Sequence, residues 1–494
     1  MKTFNDLASC LIYIAEEHGA DTLLNYERLR KLLDEMLVLE PRMFDYSHYF
    51  KPIFEEKSHI ALYQRLSISN DKGKAISRTL EEFMRENVVR AYITGEGRGF
   101  YERIQDRYPR KDIEHVLRIY ADALWLAKKN IEERDKIRGC LIGGAAGDAL
   151  GYAVEFIELE EIRSRYSPTG ITSYNLDNEL GKAIISDDTQ MTLFTAYGIL
   201  VGATRGKMRG ISASLESYIY RAYLKWLQSQ TGKRNENDER RPNWLLEIPE
   251  LCVPRHPGTT CIHALHSGKM GTIEEPINDS KGCGGVMRVA PVALYFKGNS
   301  FDPLDGARAA AITHGHPLGY IPATAFVTIL HRIVYGGCTF GDTLYDIVDE
   351  CCDFLQQLYA ENKYINELLD KINLAKELSR NDKSDAENIH RIGGGWTGDD
   401  ALAIALYCSL KYYNDFSAAI IAAVNHDGDS DSTGSITGNI VGAHIGYENI
   451  PAKWKQNLQL HDLILEIADD LFNDCQMEEE NSYFDEKWRR KYSC

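Results

Sequence analysis

Over residues 1 to about 130, apolar positions recur every three to four residues, which predicts helices joined by short breaks. Leu7, Leu11, Ile12, Ile14 and Ala15 form one apolar face that Gly19 ends, and Leu29, Leu32, Leu33, Met36 and Leu37 form the next. Leu62, Leu66, Ile68, Leu80, Phe83, Met84 and Val88 continue the pattern less regularly. A charged helix is then predicted from about Arg110 to Arg134, its apolar side marked by Ile113, Val116, Leu117, Tyr120, Leu124 and Ala127. No group of residues with evident chemistry stands out, so residues 1–132 read as a helical accessory domain. The glycine-rich turn at Gly95-Glu96-Gly97-Arg98-Gly99 lacks the strand–turn–helix setting of a phosphate loop.

The texture changes at Arg138. Cys140–Gly151 is built of small residues, which allow close approach of a helix or a ligand. After it, polar or glycine-rich stretches repeatedly open apolar runs. Ser186-Asp187-Asp188-Thr189 precedes a run to about Val201, Ser280–Arg288 precedes Val289–Leu294, Gly393–Asp400 precedes Ala401–Leu406, and His426–Gly434 precedes Ile436–Ala443. The pattern predicts a second, helical domain over 133–466. Residues 228–241 read as an exposed loop, 360–391 as an exposed helix plus linker, and 467–494 as a charged, peripheral C-terminal tail ending in Arg489-Arg490-Lys491.

Composition narrows the partners. At 494 residues, two domains are the default. With 73 acidic against 56 basic residues the formal charge is −17, which argues against binding a nucleic-acid backbone. The 11 cysteines are odd in number and form no C-x-x-C pair, the usage of reduced thiols in a cytoplasmic protein. Neither a signal peptide nor a membrane-spanning run of about 18 apolar residues is expected.

The acids at the mouths of apolar runs change the picture. Asp427, Asp429 and Asp431 alternate with Ser430, Ser432 and Thr433 just where the chain turns apolar. An ionised carboxylate in low dielectric costs several kcal/mol or more unless it is paired or binds a metal, and hard cations such as Mg²⁺ take oxygen ligands. The alternative is a helix start capped by Asp and Ser, with acids favoured by the helix dipole. Ser186-Asp187-Asp188 poses the same choice, with Ser186 as the cap. Adjacent helical residues point about 100° apart, so two acids in a row serve two neighbouring points, as a two-metal site requires. Asp148 suits a structural role, accepting backbone hydrogen bonds from a neighbouring loop. Glu155, in apolar company, is either a functional acid or a surface glutamate. Backbone amides of the Ser280–Arg288 loop could cradle a phosphate. His314 is a substrate contact or a structural histidine, and Trp396 either stacks on a base or packs against the core.

Taken in order over roughly 137–450, the stretches Gly139–Glu155, Ser186–Thr189, Gly282–Pro291, Thr313-His314, Gly395–Leu402 and Gly428–Gly434 resemble the ADP-ribosylglycohydrolase family, which includes the dinitrogenase reductase-activating glycohydrolase. The resemblance implies an all-α fold, a compact orthogonal multi-helix domain, holding two Mg²⁺ or sometimes Mn²⁺. It implies Ser186, Asp187, Asp188, Asp429, Asp431 and Ser432 as metal ligands, with Asp427 and Thr433 supporting them. Glu155 and Asp429 become the candidate catalytic acids. Glu155, Gly284, Gly285, Val286, Met287, His314 and Trp396 become substrate-binding candidates, and Cys283 stands where the family has Asn. The implied reaction is hydrolysis of the bond between C1″ of ADP-ribose and a modified protein side chain, with arginine the first choice. Serine-linked or other conjugates, and a non-catalytic ADP-ribose binder on the same scaffold, are the alternatives. No membrane partner is implied, and the oligomeric state is not legible.

Overall fold

A computed structural model describes residues 132–210, 213–232, 243–297, 300–336, 343–475, 477 and 485–493. The chain divides into two units, Met1–Glu132 and Glu133–Cys494, and the described residues are, but for Glu132, those of the second. The helices expected in 1–130 and the Gly95–Gly99 turn lie outside the described residues. Among the described residues the architecture is all-α, with extended pairing limited to isolated bridges such as Gly282 with Thr397.

Five helices position the site: α1 (132–151), α2 (Asp187–Arg209), α3 (Pro317–Tyr335), α4 (Gly398–Lys411) and α5 (Ser430–Ile445). The helices α1 and α5 run antiparallel with their backbones in contact. A Cβ on Gly139 would stand 2.2 Å from the Gly442 carbonyl oxygen, one on Gly143 2.2 Å from that of Gly438, and one on Gly147 1.9 Å from that of Gly434. The converse holds from the other side, at 1.9 Å from Gly438 to the Gly143 oxygen and 2.1 Å from Gly442 to the Gly139 oxygen. Spacing by four keeps these glycines on one stripe of each helix, so the ladder continues to Gly151, whose Cβ would meet Ser430 at 2.2 Å. Asn439 adds a side-chain hydrogen bond to the Cys140 carbonyl oxygen at 2.8 Å. Arg134 and Arg138 both close on Asp469, tying α1 to the helix His461–Asn473.

The helix α5 is buried from Ser430 to Ala443 and α4 from Gly398 to Leu410, as expected of helices that are small or apolar on all sides. The helix Phe416–Val424 packs on α5, α2 packs on Leu215–Thr231, and α3 packs on α4. By length and composition α3 could cross a membrane, but 78% of its apolar window is buried inside the protein, the position of a core helix.

Three readings need correction. Residues 360–391 hold two packed helices, Ile365–Leu378 and Asp385–Ile392. Ala375, Leu378, Ile389 and Ile392 join Ile404, Tyr407 and Ala423 in one core cluster, because apolar residues recur at helical spacing on the inner faces. Residues 228–231 close the helix Leu215–Thr231 instead of forming a loop, while 233–242 lie outside the described residues. A boundary at 466 would cut the helix His461–Asn473, and the last helix, Glu486–Tyr492, is not peripheral. It buries Trp488 and Tyr492, and Lys491 pairs with Asp470.

The ladder yields a direct expectation. Gly147→Ala should lower the unfolding free energy by about 1–3 kcal/mol through overpacking. Gly258→Ala, with nothing within 4 Å of the added carbon, should stay within about 0.5 kcal/mol of wild type. Urea unfolding of both variants measures this, and equal midpoints would contradict the close approach.

Candidate active site

The end of the ladder places two helix starts beside α1. Asp429 caps α5 by accepting from the Ser432 amide at 3.3 Å, and Asp431 in the first turn accepts from the same amide at 2.9 Å. The loop before them is held from several sides. His426 accepts from the Gly428 amide at 3.1 Å and pairs with the Thr433 hydroxyl at 2.9 Å. Thr433 also reaches the Ala423 carbonyl oxygen at 2.7 Å, and the Asp429 amide donates to Gly394 at 3.0 Å. Asp427 is exposed and accepts from the Leu159 amide at 2.6 Å. Asp427 and Thr433 therefore brace the loop.

Ser186 caps α2 by accepting from the Asp188 amide at 3.2 Å, which leaves Asp187 and Asp188 in the first turn. From α1, the buried Asp148 accepts from the Ser186 amide at 3.0 Å, from the Thr189 amide at 3.1 Å and from the Thr189 hydroxyl. It pins the start of α2, the structural role its position in the sequence suggested. Asp187 accepts from the Gly258 amide at 3.3 Å. One turn beyond Gly151, the Glu155 carboxylate lies 3.3 Å from the His256 imidazole, whose ring meets Tyr152 edge-on.

These acids lie within each other's field. Burial raises Asp187, Asp188 and Asp431 well above the usual carboxylate range, and neighbouring carboxylates add to the shift. Burial, then the charge of Asp429, lifts Glu155 to about 7. Among the described residues, none of Asp148, Asp187, Asp188, Asp429 and Asp431 has an ion pair with Lys or Arg. The acids at the start of α4 differ, because Lys371 closes on Asp400 and stands 2.5 Å from Asp399. Buried Oδ2 of Asp188 has no hydrogen-bond partner. Six hard oxygen donors (Ser186, Asp187, Asp188, Asp429, Asp431 and Ser432) with an orphaned carboxylate oxygen fit a divalent cation of the Mg²⁺ type. Among the described residues, no three His, Cys, Asp or Glu side chains already form a metal-ligand set.

The glycine loop closes the other side. Its Cys283 amide donates to the Trp396 carbonyl oxygen at 3.0 Å, and the Gly398 amide to that of Lys281 at 2.8 Å. The Cys283 thiol donates to Asp429 at 2.9 Å, so the residue in the Asn position contacts a candidate catalytic acid. Burial and the charge of Asp429 keep that thiol protonated. Gly282 and Gly284 are half-buried, backed by the buried His314. Gly285, Val286 and Met287 are buried, with Met287 sulfur 3.7 Å from the Ser432 hydroxyl. The Val286 and Met287 side chains are thus buried, Met287 beside Ser432. Trp396 is 57% exposed, so it does not pack into the core, and its ring lies 5.7 Å from that of Phe156, itself 53% exposed. Sequence reasoning missed Phe156, His256 and the Cys283–Asp429 contact. Phe156 adopts φ 54° while its amide is tied to the Gly428 carbonyl oxygen, a tertiary constraint no local pattern encodes. His256 likewise holds a positive φ, 53°.

Comparison with known proteins identifies the family. The family model described as ADP-ribosylglycohydrolase matches residues 129–481. An uncharacterised protein of Archaeoglobus fulgidus is 28% identical over 68% of this chain and 96% of its own length. The ADP-ribosyl-[dinitrogen reductase] glycohydrolase of Rhodospirillum rubrum is 24% identical over 66% of this chain and 91% of its own. The human ADP-ribosylhydrolase ARH3 is 24% identical over 36% of this chain and 54% of its own. A solved ADP-ribosylglycohydrolase-related protein complex superposes with a TM-score of 0.47 at 20% identity, covering 69% of this chain and 98% of that one. The chain belongs to the ADP-ribosylglycohydrolase family, hydrolases that act on glycosidic bonds.

Proposed function

We propose that this protein removes ADP-ribose from modified protein side chains, the arginine linkage first, by hydrolysing the bond at C1″ of the distal ribose. Two Mg²⁺ ions, or Mn²⁺, would be held by Ser186, Asp187 and Asp188 on one side and Asp429, Asp431 and Ser432 on the other. The observation that carries the reading is a buried acid cluster that no Lys or Arg among the described residues pairs with, including the orphaned Asp188 oxygen. Arginine is placed first because the glycine loops resemble those of the bacterial hydrolases in the family. When bound, the ions would orient ribose hydroxyls, supply an activated water and stabilise developing charge.

The chain's own residues supply the rest. Glycosidic bonds of this kind open through an oxocarbenium-like transition state. Glu155, its carboxyl lifted to about 7, can exist as acid or base near neutrality and is suited to moving a proton. Asp429 reaches the same space and is steadied by the Cys283 thiol and the Ser432 amide. Trp396 offers an exposed ring on which a base can stack, and the Gly282–Gly285 backbone faces the diphosphate.

Two outcomes test this. Asp429→Asn should reduce Mg²⁺-supported release of ADP-ribose from an ADP-ribosylated protein by about 10²-fold or more, and unchanged release would remove Asp429 from the reaction. The second test is pH. Folded-state pKa values above the unfolded ones mean that the metal-free folded protein binds the extra protons. Its stability is therefore greatest below about pH 4 as far as these groups are concerned, and falls as pH rises through their raised values, about 7 for Glu155. Mg²⁺ must displace those protons. The rise in melting temperature on adding Mg²⁺ should thus be small at pH 5 and grow towards pH 8, and a shift independent of pH would contradict metal binding at this cluster.

A further inference from the structure

Arg288, at the end of the glycine loop, is fully buried. Its guanidinium lies 4.4 Å over the Tyr223 ring, with Cys261 sulfur at 3.3 Å and Met191 sulfur at 3.5 Å. Its strongest contact is a hydrogen bond to the Thr313 hydroxyl at 2.6 Å. That hydroxyl is in turn 2.8 Å from Nδ1 of the adjacent His314. A guanidinium only donates, so the Thr313 oxygen accepts from Arg288 and its single proton is free to go elsewhere. The acceptors within reach are the imidazole nitrogen and, more weakly, the Cys261 sulfur. The imidazole nitrogen is the better acceptor, and an Nδ1–H would instead point its positive end at a hydroxyl already polarised by a cation. The proton therefore belongs on the Thr313–Nδ1 line, and the ring's own proton belongs on Nε2.

Nε2 lies against the glycine loop. A Cβ at Gly282 would stand 3.2 Å from it and one at Gly284 3.3 Å, so a side chain at either position would crowd the ring. Burial, reinforced by the Arg288 charge, holds the imidazolium form down to about 3, so the ring is neutral at any working pH. A neutral imidazole in either tautomer is stable, but only one presents a donor to the loop.

We propose that Arg288 and Thr313 are positioning residues that lock His314 as its Nε2–H tautomer, making it a fixed hydrogen-bond donor to an anionic oxygen seated on the Gly282–Gly285 loop. The relay stands on the protein's own geometry, and the anionic oxygen rests on the function proposed above, where the diphosphate of ADP-ribose supplies it. Arg288 replaces a metal or carboxylate in the usual logic of histidine orientation, acting through a hydroxyl that reverses the sense of the hydrogen bond.

The test uses the full chain with ¹⁵N-labelled histidine. Long-range ¹H–¹⁵N spectra without ligand should show His314 protonated at Nε2 and bare at Nδ1. Thr313→Val should mix the tautomers, and Thr313→Ser should restore the wild-type pattern. A wild-type ring protonated at Nδ1, or an unchanged pattern in Thr313→Val, overturns the relay. In a second arm, Thr313→Val should weaken ADP-ribose binding about tenfold, the scale of one misdirected hydrogen bond, and leave adenosine binding unchanged. Equal loss for both ligands overturns the donor assignment. If the wild type binds no ADP-ribose at all, the proposed function fails while the spectra still decide the relay.

Discussion

Backbone contact between α1 and α5 sets the positions of everything that matters at the site. Each glycine of the ladder removes a side chain that would otherwise hold the helices apart, and the carbonyl oxygens at 1.9–2.2 Å from the missing Cβ atoms leave no slack. An approach this close fixes register as well as distance, because the carbonyls of one helix must fall between the Cα atoms of the other. The ladder ends at Gly151 against Ser430. Around that point α1 contributes Asp148, the turn after it Glu155, and the cap and first turn of α5 Asp429 and Asp431. With ordinary side chains on the stripe, interaxial distances of about 8–10 Å would apply, and the acids would stand apart.

The same geometry creates an electrostatic problem that is solved in two ways within one fold. At the start of α4, Lys371 reaches both Asp399 and Asp400, one cation shared by two carboxylates. At the starts of α2 and α5 no such cation arrives among the described residues. The backbone takes up part of the charge there. Asp148 gathers amides and a hydroxyl from the first turn of α2, Asp429 takes an amide and a thiol, and Asp187 takes the Gly258 amide. What is left, including the Asp188 oxygen without a partner, is hard-oxygen capacity facing a common space. Helix capping and metal binding are therefore not rival uses of these residues. Capping fixes the first turn, and the fixed first turn aims the remaining oxygens.

Much of this was legible in the chain. Acids and hydroxyls opening apolar runs marked both helix starts, Ser186 was recognisable as a cap, and the small residues of Cys140–Gly151 announced a close approach. The partner of that approach was visible only as a glycine-punctuated run at Ile436–Ala443, since periodicity within one helix says nothing about which other helix it meets. The segment 360–391 misled because its charge density hid apolar positions at helical spacing, and charge on one face does not prevent burial of the other. Phe156 and His256 were invisible for a related reason. Each holds a positive φ, 54° and 53°, imposed by tertiary structure. The environment of Cys283 was likewise hidden, because its meaning depends on Asp429, which is 146 residues away.

On the proposed function, the ladder brings two capped helix starts together so that their unpaired oxygens share divalent cations. Crystals of the full chain soaked in Mn²⁺ and measured at the manganese absorption edge address it directly. Anomalous density for two ions is expected between Asp187 and Asp188 on one side and Asp429 and Asp431 on the other. Well-ordered carboxylates in a Mn²⁺-soaked crystal with no anomalous density between them would contradict it.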